Sequence, residues 1–141
     1  MLRKIPIHLI VSVAAGIATA MALSALTHEI LHLLGVFPAI GEPNFDTRLT
    51  LIAFFYHSIY AIIGAFVTAI IAKEKAKKAV FILGTKEAIM WLLGIILLWH
   101  QAPAWYNLSK AFAGIPLAMV GGKLYELYKL SKQEKTKTVV R

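Results

Sequence analysis

Residues 49–72 read LTLIAFFYHSIYAIIGAFVTAIIA, and this stretch decides the fold because it contains no Lys, Arg, Asp or Glu. A helix needs about 20 apolar residues to cross the roughly 30 Å hydrocarbon core of a bilayer, and this run is long enough. A strand of a transmembrane barrel would alternate apolar and polar residues, whereas this run is continuously apolar. The stretch therefore predicts a transmembrane helix, whose backbone groups bond to one another within a single segment.

The same pattern recurs along the chain. Residues 5–27 and 88–109 are also free of charged side chains, and a shorter charge-free run over 111–122 lies within an apolar stretch over 107–128. We predict an all-α fold, an integral membrane bundle of four transmembrane helices over about 5–33, 50–72, 78–100 and 107–129. In domain terms this is a single four-helix transmembrane domain over residues 1–130, followed by a basic cytoplasmic tail over 131–141.

The composition agrees with a membrane protein and excludes several other classes. Of the 141 residues, 59% are hydrophobic and 16% are charged. A chain this short cannot bury so much apolar surface in a core of its own. The apolar content excludes a disordered chain, and the absence of Cys excludes a small secreted domain held together by disulfide bonds.

The positive charges lie at the ends of the predicted helices. Arg48 is the only basic residue in the connectors over 34–49 and 101–106, although the formal net charge of the chain is +8. Eleven of the other fourteen basic residues flank the spans: Arg3 and Lys4; Lys73, Lys75, Lys77 and Lys78; Lys129, Lys132, Lys135, Lys137 and Arg141. Because basic loops stay inside, we predict a bacterial inner membrane protein with both termini and the 73–78 loop in the cytoplasm. The expected contact of the tail is the lipid bilayer, and nucleic acid is not an expected partner.

Small residues recur four apart in three of the predicted helices. Lipid provides no hydrophobic force between helices, so membrane helices associate through close approach at small side chains. We therefore predict that these residues form the helix contacts. They are Ser12, Gly16, Ala20 and Ser24; Ala61, Ala65 and Ala69; and Gly114, Ala118 and Gly122.

The sharpest local motif is His28-Glu29-Ile30-Leu31-His32, which has the form H-E-x-x-H. On a helix the two His side chains lie one turn apart, where they can bind one zinc ion while Glu29 activates a bound water as the catalytic base. The predicted topology also places His57 and His100 in the outer half of the protein. The candidate metal ligands are therefore His28, His32, His57 and His100, with zinc as the possible cofactor. The alternative is that these side chains are amphipathic residues of the membrane interface.

A second candidate site lies on the inner side. Burying Glu87 alone in the third span would be costly, and Lys123 is placed at a similar depth in the fourth. We predict a buried ion pair between Glu87 and Lys123 that fixes the helix register. The alternative is a proton or ion relay through Glu87.

Residues 27–33 resemble the zinc motif of intramembrane site-2-type proteases. The resemblance implies that His28 and His32 are ligands and that Glu29 is the general base. That family also carries an Asp ligand on a later helix, and this chain has no Asp after Asp46.

A longer resemblance covers roughly half of the chain. Residues 57–69, the sequence Ala102-Pro103-Ala104-Trp105-Tyr106 and the last predicted helix, from Ile115-Pro116 to Gly121-Gly122-Lys123-Leu124, are similar to a group of small bacterial four-span membrane proteins. This resemblance implies the four-helix fold and implies no activity. The His28–His32 pair is not part of the shared pattern.

Three functions follow as expectations. The first is a non-catalytic accessory or structural subunit of a membrane complex or homo-oligomer, since most recognisable features serve packing and topology. The second is a membrane-embedded zinc-dependent hydrolase, a peptidase that uses the motif at 28–32. The third is a small transporter or channel, which would act as an oligomer because one bundle of this size has little room for a pathway.

Overall fold

A computed structural model describes residues 7–97 and 99–139, and within these ranges the chain forms α-helices and short connectors without β-strands. The elements are α1 (Ile7–Leu33), α2 (Thr47–Ala72), a single 3-10 turn (Lys73–Lys75), α3 (Ala76–Leu97) and α4 (Ala104–Val139). The basic residues Arg3, Lys4 and Arg141 lie outside the described residues.

The chain reverses direction at Lys73. Helical structure is continuous over the 51 residues Thr47–Leu97. At Lys73, however, φ is 51° and ψ is −111°, a backbone conformation that does not occur inside a helix. His57 and Trp91, which stand on opposite sides of this turn in the sequence, line one cavity. A straight helix would separate them by about 50 Å at 1.5 Å per residue. The long helical run is therefore a hairpin of α2 and α3.

Two helical stretches, Ile7–Leu33 and Thr47–Leu97, are long and apolar enough to cross a membrane. Only 17% of the most apolar window in each is buried, whereas a core helix of a water-soluble protein would be mostly buried. α4 is not one of these two candidate membrane-spanning stretches. Its apolar part is interrupted by the polar residues Asn107, Lys110 and Lys123.

Several helix boundaries differ from the predicted ones: α2, α3 and α4 begin two or three residues earlier, and α3 ends at Leu97 instead of residue 100. Two of the differences have identifiable reasons. α2 begins at Thr47 because Asp46 caps it, its carboxylate accepting hydrogen bonds from the backbone N–H groups of Arg48 (2.7 Å) and Leu49 (3.2 Å). α4 runs to Val139, ten residues beyond the predicted end, and passes residue 130 without a break. No Gly or Pro follows Gly122, and the Lys, Glu, Gln and Leu residues there favour helix.

Hydrogen bonds at the two ends fix how the helices are arranged. The backbone N–H of Asn44 donates to the carbonyl oxygen of Gln101 at 2.8 Å, so the connectors over 34–46 and 99–103 lie together, and we call this the loop end. The Lys129 ammonium donates to Glu74 at 3.1 Å and joins α4 to the 3-10 turn at the opposite end, which we call the turn end.

Small residues form the helix contacts, as predicted. A methyl group placed on Gly16 would lie 2.5 Å from the carbonyl oxygen of Gly64, so α1 and α2 meet there with their backbones nearly touching. A methyl group on Gly84 would lie 2.9 Å from Cβ of Ala118, where α3 meets α4. Gly121 brings α4 equally close to α2. The four helices thus pack through backbone approach, and the cavity described next lies between them.

Candidate functional site

A cavity of about 300 Å³ lies among the four helices, and every helix contributes to its wall. Its lining changes along the helix axis. Toward the loop end the wall contains His57, Trp91 and Lys110. Toward the middle of the bundle it consists of small and aliphatic side chains: Gly16, Ala20, Ala61, Gly64, Leu83, Leu117 and Ala118. One end of the cavity is therefore polar and the other is apolar.

Lys110 is the main polar feature of this cavity. The residue is only 7% exposed, which is rare for Lys. Its ammonium nitrogen lies 4.6 Å from the ring centroid of Trp91 and 5.9 Å from that of Tyr106. Among the described residues no carboxylate lies within 4.0 Å of that nitrogen. The aromatic faces attract the charge, and no carboxylate pairs with it at contact distance.

The helical spacing of α4 brings the neighbours of Lys110 into place. Tyr106 and Asn107 precede Lys110 by four and three residues, so all three side chains share one face of the helix. Both are buried, at 8% and 5% exposure. The Asn107 amide nitrogen has no hydrogen-bond acceptor among the described residues. This face of α4 therefore carries one buried amide donor without an acceptor, beside the buried side chain of Lys110.

His57 connects α2 to Tyr106 on α4. Its Nδ1 lies 3.2 Å from the Tyr106 hydroxyl, within hydrogen-bonding distance. The Trp91 and Tyr106 rings meet edge to face at 6.3 Å, which brings α3 to the same contact. The sequence prediction placed His57 in a metal site, and the structure places it in the wall of the Lys110 cavity.

Glu87 lines the cavity one helical turn from Trp91 and is held by its neighbour in the chain. The Lys86 ammonium donates to the Glu87 carboxylate at 3.0 Å. Both side chains are partly exposed, at 36% and 29%.

The predicted ion pair between Glu87 and Lys123 is not formed, and the register of α3 against α4 explains why. A methyl group on Gly114 would lie 3.3 Å from Cβ of Glu87, so these two residues are level with each other. Lys123 lies nine residues beyond Gly114, about 13 Å further along α4. Lys123 instead donates to Glu126 at 3.2 Å.

The two His residues of the H-E-x-x-H motif hold the connector over 34–46. His28 Nε2 lies 3.2 Å from the Pro38 carbonyl oxygen, and His32 Nδ1 lies 3.0 Å from that of Phe37. Since a carbonyl only accepts, the ring N–H donates in each case. His28 Nδ1 is 3.4 Å from the Tyr56 hydroxyl, so both nitrogens of this ring have protein partners.

Glu29 and His100 are not drawn into this arrangement. Glu29 is exposed on α1, and His100 is exposed in the connector between α3 and α4. Within residues 7–97 and 99–139 no group of three or more His, Cys, Asp or Glu side chains is arranged to hold a metal ion. The zinc site with His28, His32, His57 and His100 as ligands stays a prediction.

Lys110 is a candidate functional residue that the sequence analysis missed. It separates two charge-free runs, 88–109 and 111–122, and so was treated as a boundary between them. The signal was present, because Lys110 lies three residues inside the predicted fourth span, where a charged group is a functional candidate by default.

Comparison of the chain with protein-family profiles, with curated proteins and with solved structures found no match.

Proposed function

We propose that this chain is a small polytopic protein of the bacterial inner membrane that crosses the bilayer four times with both termini in the cytoplasm. We further propose that it works without catalysis, as an accessory or structural subunit of a membrane complex or of a homo-oligomer. The outer side is then the loop end, and the cytoplasmic side is the turn end.

The observation that carries the proposal is the apolar surface of the helices. Large hydrophobic side chains are exposed on every helix, among them Ile7 (79%), Phe55 (66%), Leu97 (79%) and Phe112 (78%). In water each would cost about 25 cal/mol per Å² of apolar area, and water-soluble monomers rarely expose contiguous patches of this kind. A bilayer removes the cost, because lipid chains are as apolar as these residues.

The hairpin at Lys73 and the length of α4 support four crossings. Each arm of the run Thr47–Leu97 has more than the roughly 20 residues needed to cross the hydrocarbon core. α4 packs along both arms and has 36 residues, enough for a fourth crossing despite its interrupting polar groups. The resemblance of residues 57–69, 102–106 and 115–124 to small four-span bacterial proteins supports the same fold.

The engagement of His28 and His32 supports a non-catalytic role. A zinc hydrolase needs both rings to direct a nitrogen at one metal ion. Here each ring donates to a carbonyl of the adjacent connector, which serves to anchor the 34–46 connector to α1.

The topology can be tested directly, because the chain contains no Cys. Four single substitutions place a thiol in each connector and in the tail: Glu42→Cys, Gln101→Cys, Lys75→Cys and Lys135→Cys. In intact spheroplasts a membrane-impermeant maleimide should label the first two variants, and the last two only after permeabilisation. Labelling of all four from one side, or release of the protein by alkaline carbonate, would overturn the four-crossing topology.

The assembly state is a separate measurement. Extraction into native nanodiscs, followed by mass determination of the intact particle, should find the chain in a complex of more than one subunit. A monomer alone in the particle at cellular expression level would contradict the role as a subunit.

A further inference from the structure

We propose that the cavity beside Lys110 binds a single-chain amphiphile with a monoanionic headgroup, with the headgroup on the Lys110 ammonium and the apolar chain lying toward Gly16 and Ala118. A medium-chain carboxylate is the simplest member of this class. This inference goes beyond the proposed structural role and does not depend on the number of membrane crossings.

The first argument is the uncompensated charge. Lys110 is more than nine-tenths buried, and its ammonium contacts aromatic faces instead of a carboxylate. A cation–π contact offsets only part of the free energy needed to remove an ammonium from water. An anion bound beside Lys110 would be attracted strongly, because the surroundings have a low dielectric constant.

The second argument is the count of charges around the cavity. Glu87 is the only acidic residue among those that line it, and its carboxylate is bound at 3.0 Å by Lys86. When Lys86 is counted as the partner of Glu87, although it does not itself line the cavity, the three side chains leave an excess of one positive charge. A ligand with a single negative charge would neutralise it.

The third argument is the shape and chemistry of the wall. Lys110 and Ala118 lie eight residues apart on α4, so the cavity extends about 12 Å along the helix axis. Beyond Lys110 the wall is made mainly of residues with little or no side chain, such as Gly16, Ala61 and Gly64. The volume of about 300 Å³ is at the lower limit of small-molecule sites. A narrow apolar space with a cation at one end fits an amphiphile better than a fully polar metabolite.

The binding test uses the full-length protein in nanodiscs of phosphatidylcholine, with decanoate as the probe. Trp91 reports binding because its ring lies 4.6 Å from the Lys110 ammonium, and Trp99→Phe with Trp105→Phe removes the other two indoles. Decanoate should change the fluorescence saturably, relative to empty nanodiscs. The neutral analogue decanol and the cationic decyltrimethylammonium should bind at least about tenfold more weakly, as expected for loss of a charged contact.

Four variants separate the headgroup contact from the chain contact. Lys110→Met should weaken decanoate binding by about tenfold or more, while Lys110→Arg should retain it. Lys123→Met is the matched control, since Lys123 is exposed and does not line the cavity. Decanoate should bind this variant as tightly as it binds the wild type. Ala61→Leu fills the apolar part and should weaken decanoate more than hexanoate.

Several results would overturn the proposal. They are equal affinity for decanoate and decanol, undiminished binding by Lys110→Met, or no saturable signal in the wild type. If Lys110→Met fails to fold, the comparison of decanoate with decanol and the chain-length effect of Ala61→Leu still decide the matter. Failure here would leave the thiol-labelling pattern unchanged, so it is distinguishable from failure of the proposed topology.

Discussion

Gly16 of α1 and Gly64 of α2 face each other so closely that a methyl group on either would lie 2.5–2.6 Å from the carbonyl oxygen of the other. We expect Gly64→Ala to push α1 away from α2 and to destabilise the fold by about 1–3 kcal/mol, the usual cost of overpacking. A lower Tm in detergent would report it.

Gly94 provides the matched control, because no atom lies within 4 Å of a methyl group built on it. In the interior of α3, Gly94→Ala should stabilise slightly, by up to about 1 kcal/mol, since Ala favours helix more than Gly. Equal Tm values for the Gly64 and Gly94 variants would contradict the close approach of α1 and α2.

The turn between α2 and α3 holds Lys73 at φ 51°, where a side chain is strained. Since Gly adopts positive φ readily, Lys73→Gly should relieve about 1 kcal/mol of backbone strain and so raise Tm. Lys73→Val should lower Tm. Lys75, in the same turn but without a positive φ, is the control: Lys75→Gly should bring no gain. A loss of stability in Lys73→Gly would show that the side chain of Lys73 matters more than its backbone.

The cap of α2 depends on the side chain of Asp46. Asp46→Ala removes the acceptor for the backbone N–H groups of Arg48 and Leu49 and should cost about 1 kcal/mol. Asp46→Asn keeps an oxygen at the same place and should retain most of the stability, so the two Tm values together test the cap. Indistinguishable Tm values for Asp46→Ala and the wild type would rule it out.

The connector over 34–46 should loosen when its His anchors are removed. His28→Ala and His32→Ala each delete a hydrogen bond to a connector carbonyl, so amide hydrogen exchange across residues 36–45 should accelerate. His100→Ala, in the exposed connector on the same end, should leave this exchange unchanged. Unaltered exchange in both anchor variants would mean that the connector is held by other contacts.

The same residues allow the zinc prediction to be tested. With His28 bonded through both ring nitrogens, we expect the purified protein to retain much less than one zinc ion per chain after dialysis, measured by elemental analysis. A stoichiometric zinc ion that is lost in the double variant of His28→Ala and His32→Ala would restore the hydrolase as the better hypothesis.

The sequence predicted the helical class and the helix contacts because both depend on local patterns. The run 49–72 identifies a long apolar helix by composition alone, and Gly16 lies four residues from other small side chains on one face. Such features need no knowledge of the distances between helices.

The site could not be predicted in the same way, because it depends on how helices align. Glu87 and Lys123 seemed level when depth was counted from the predicted helix ends, but the packing of Gly114 against Glu87 fixes a different register. Likewise, the approach of Trp91 to Lys110 joins two helices across a connector whose length does not determine their offset.

The uninterrupted course of α4 to Val139 has a consequence for the proposed topology. A helix of 36 residues is about 54 Å long, while the hydrocarbon core is about 30 Å thick, so in that topology the last part of α4 would extend beyond the lipid. At 100° per residue, Lys129, Lys132 and Lys135 lie within about 120° of one another around the axis, so they form one basic face of this segment. In that topology a fluorescent protein fused after Val139 would be separated from the bilayer surface by several turns of helix.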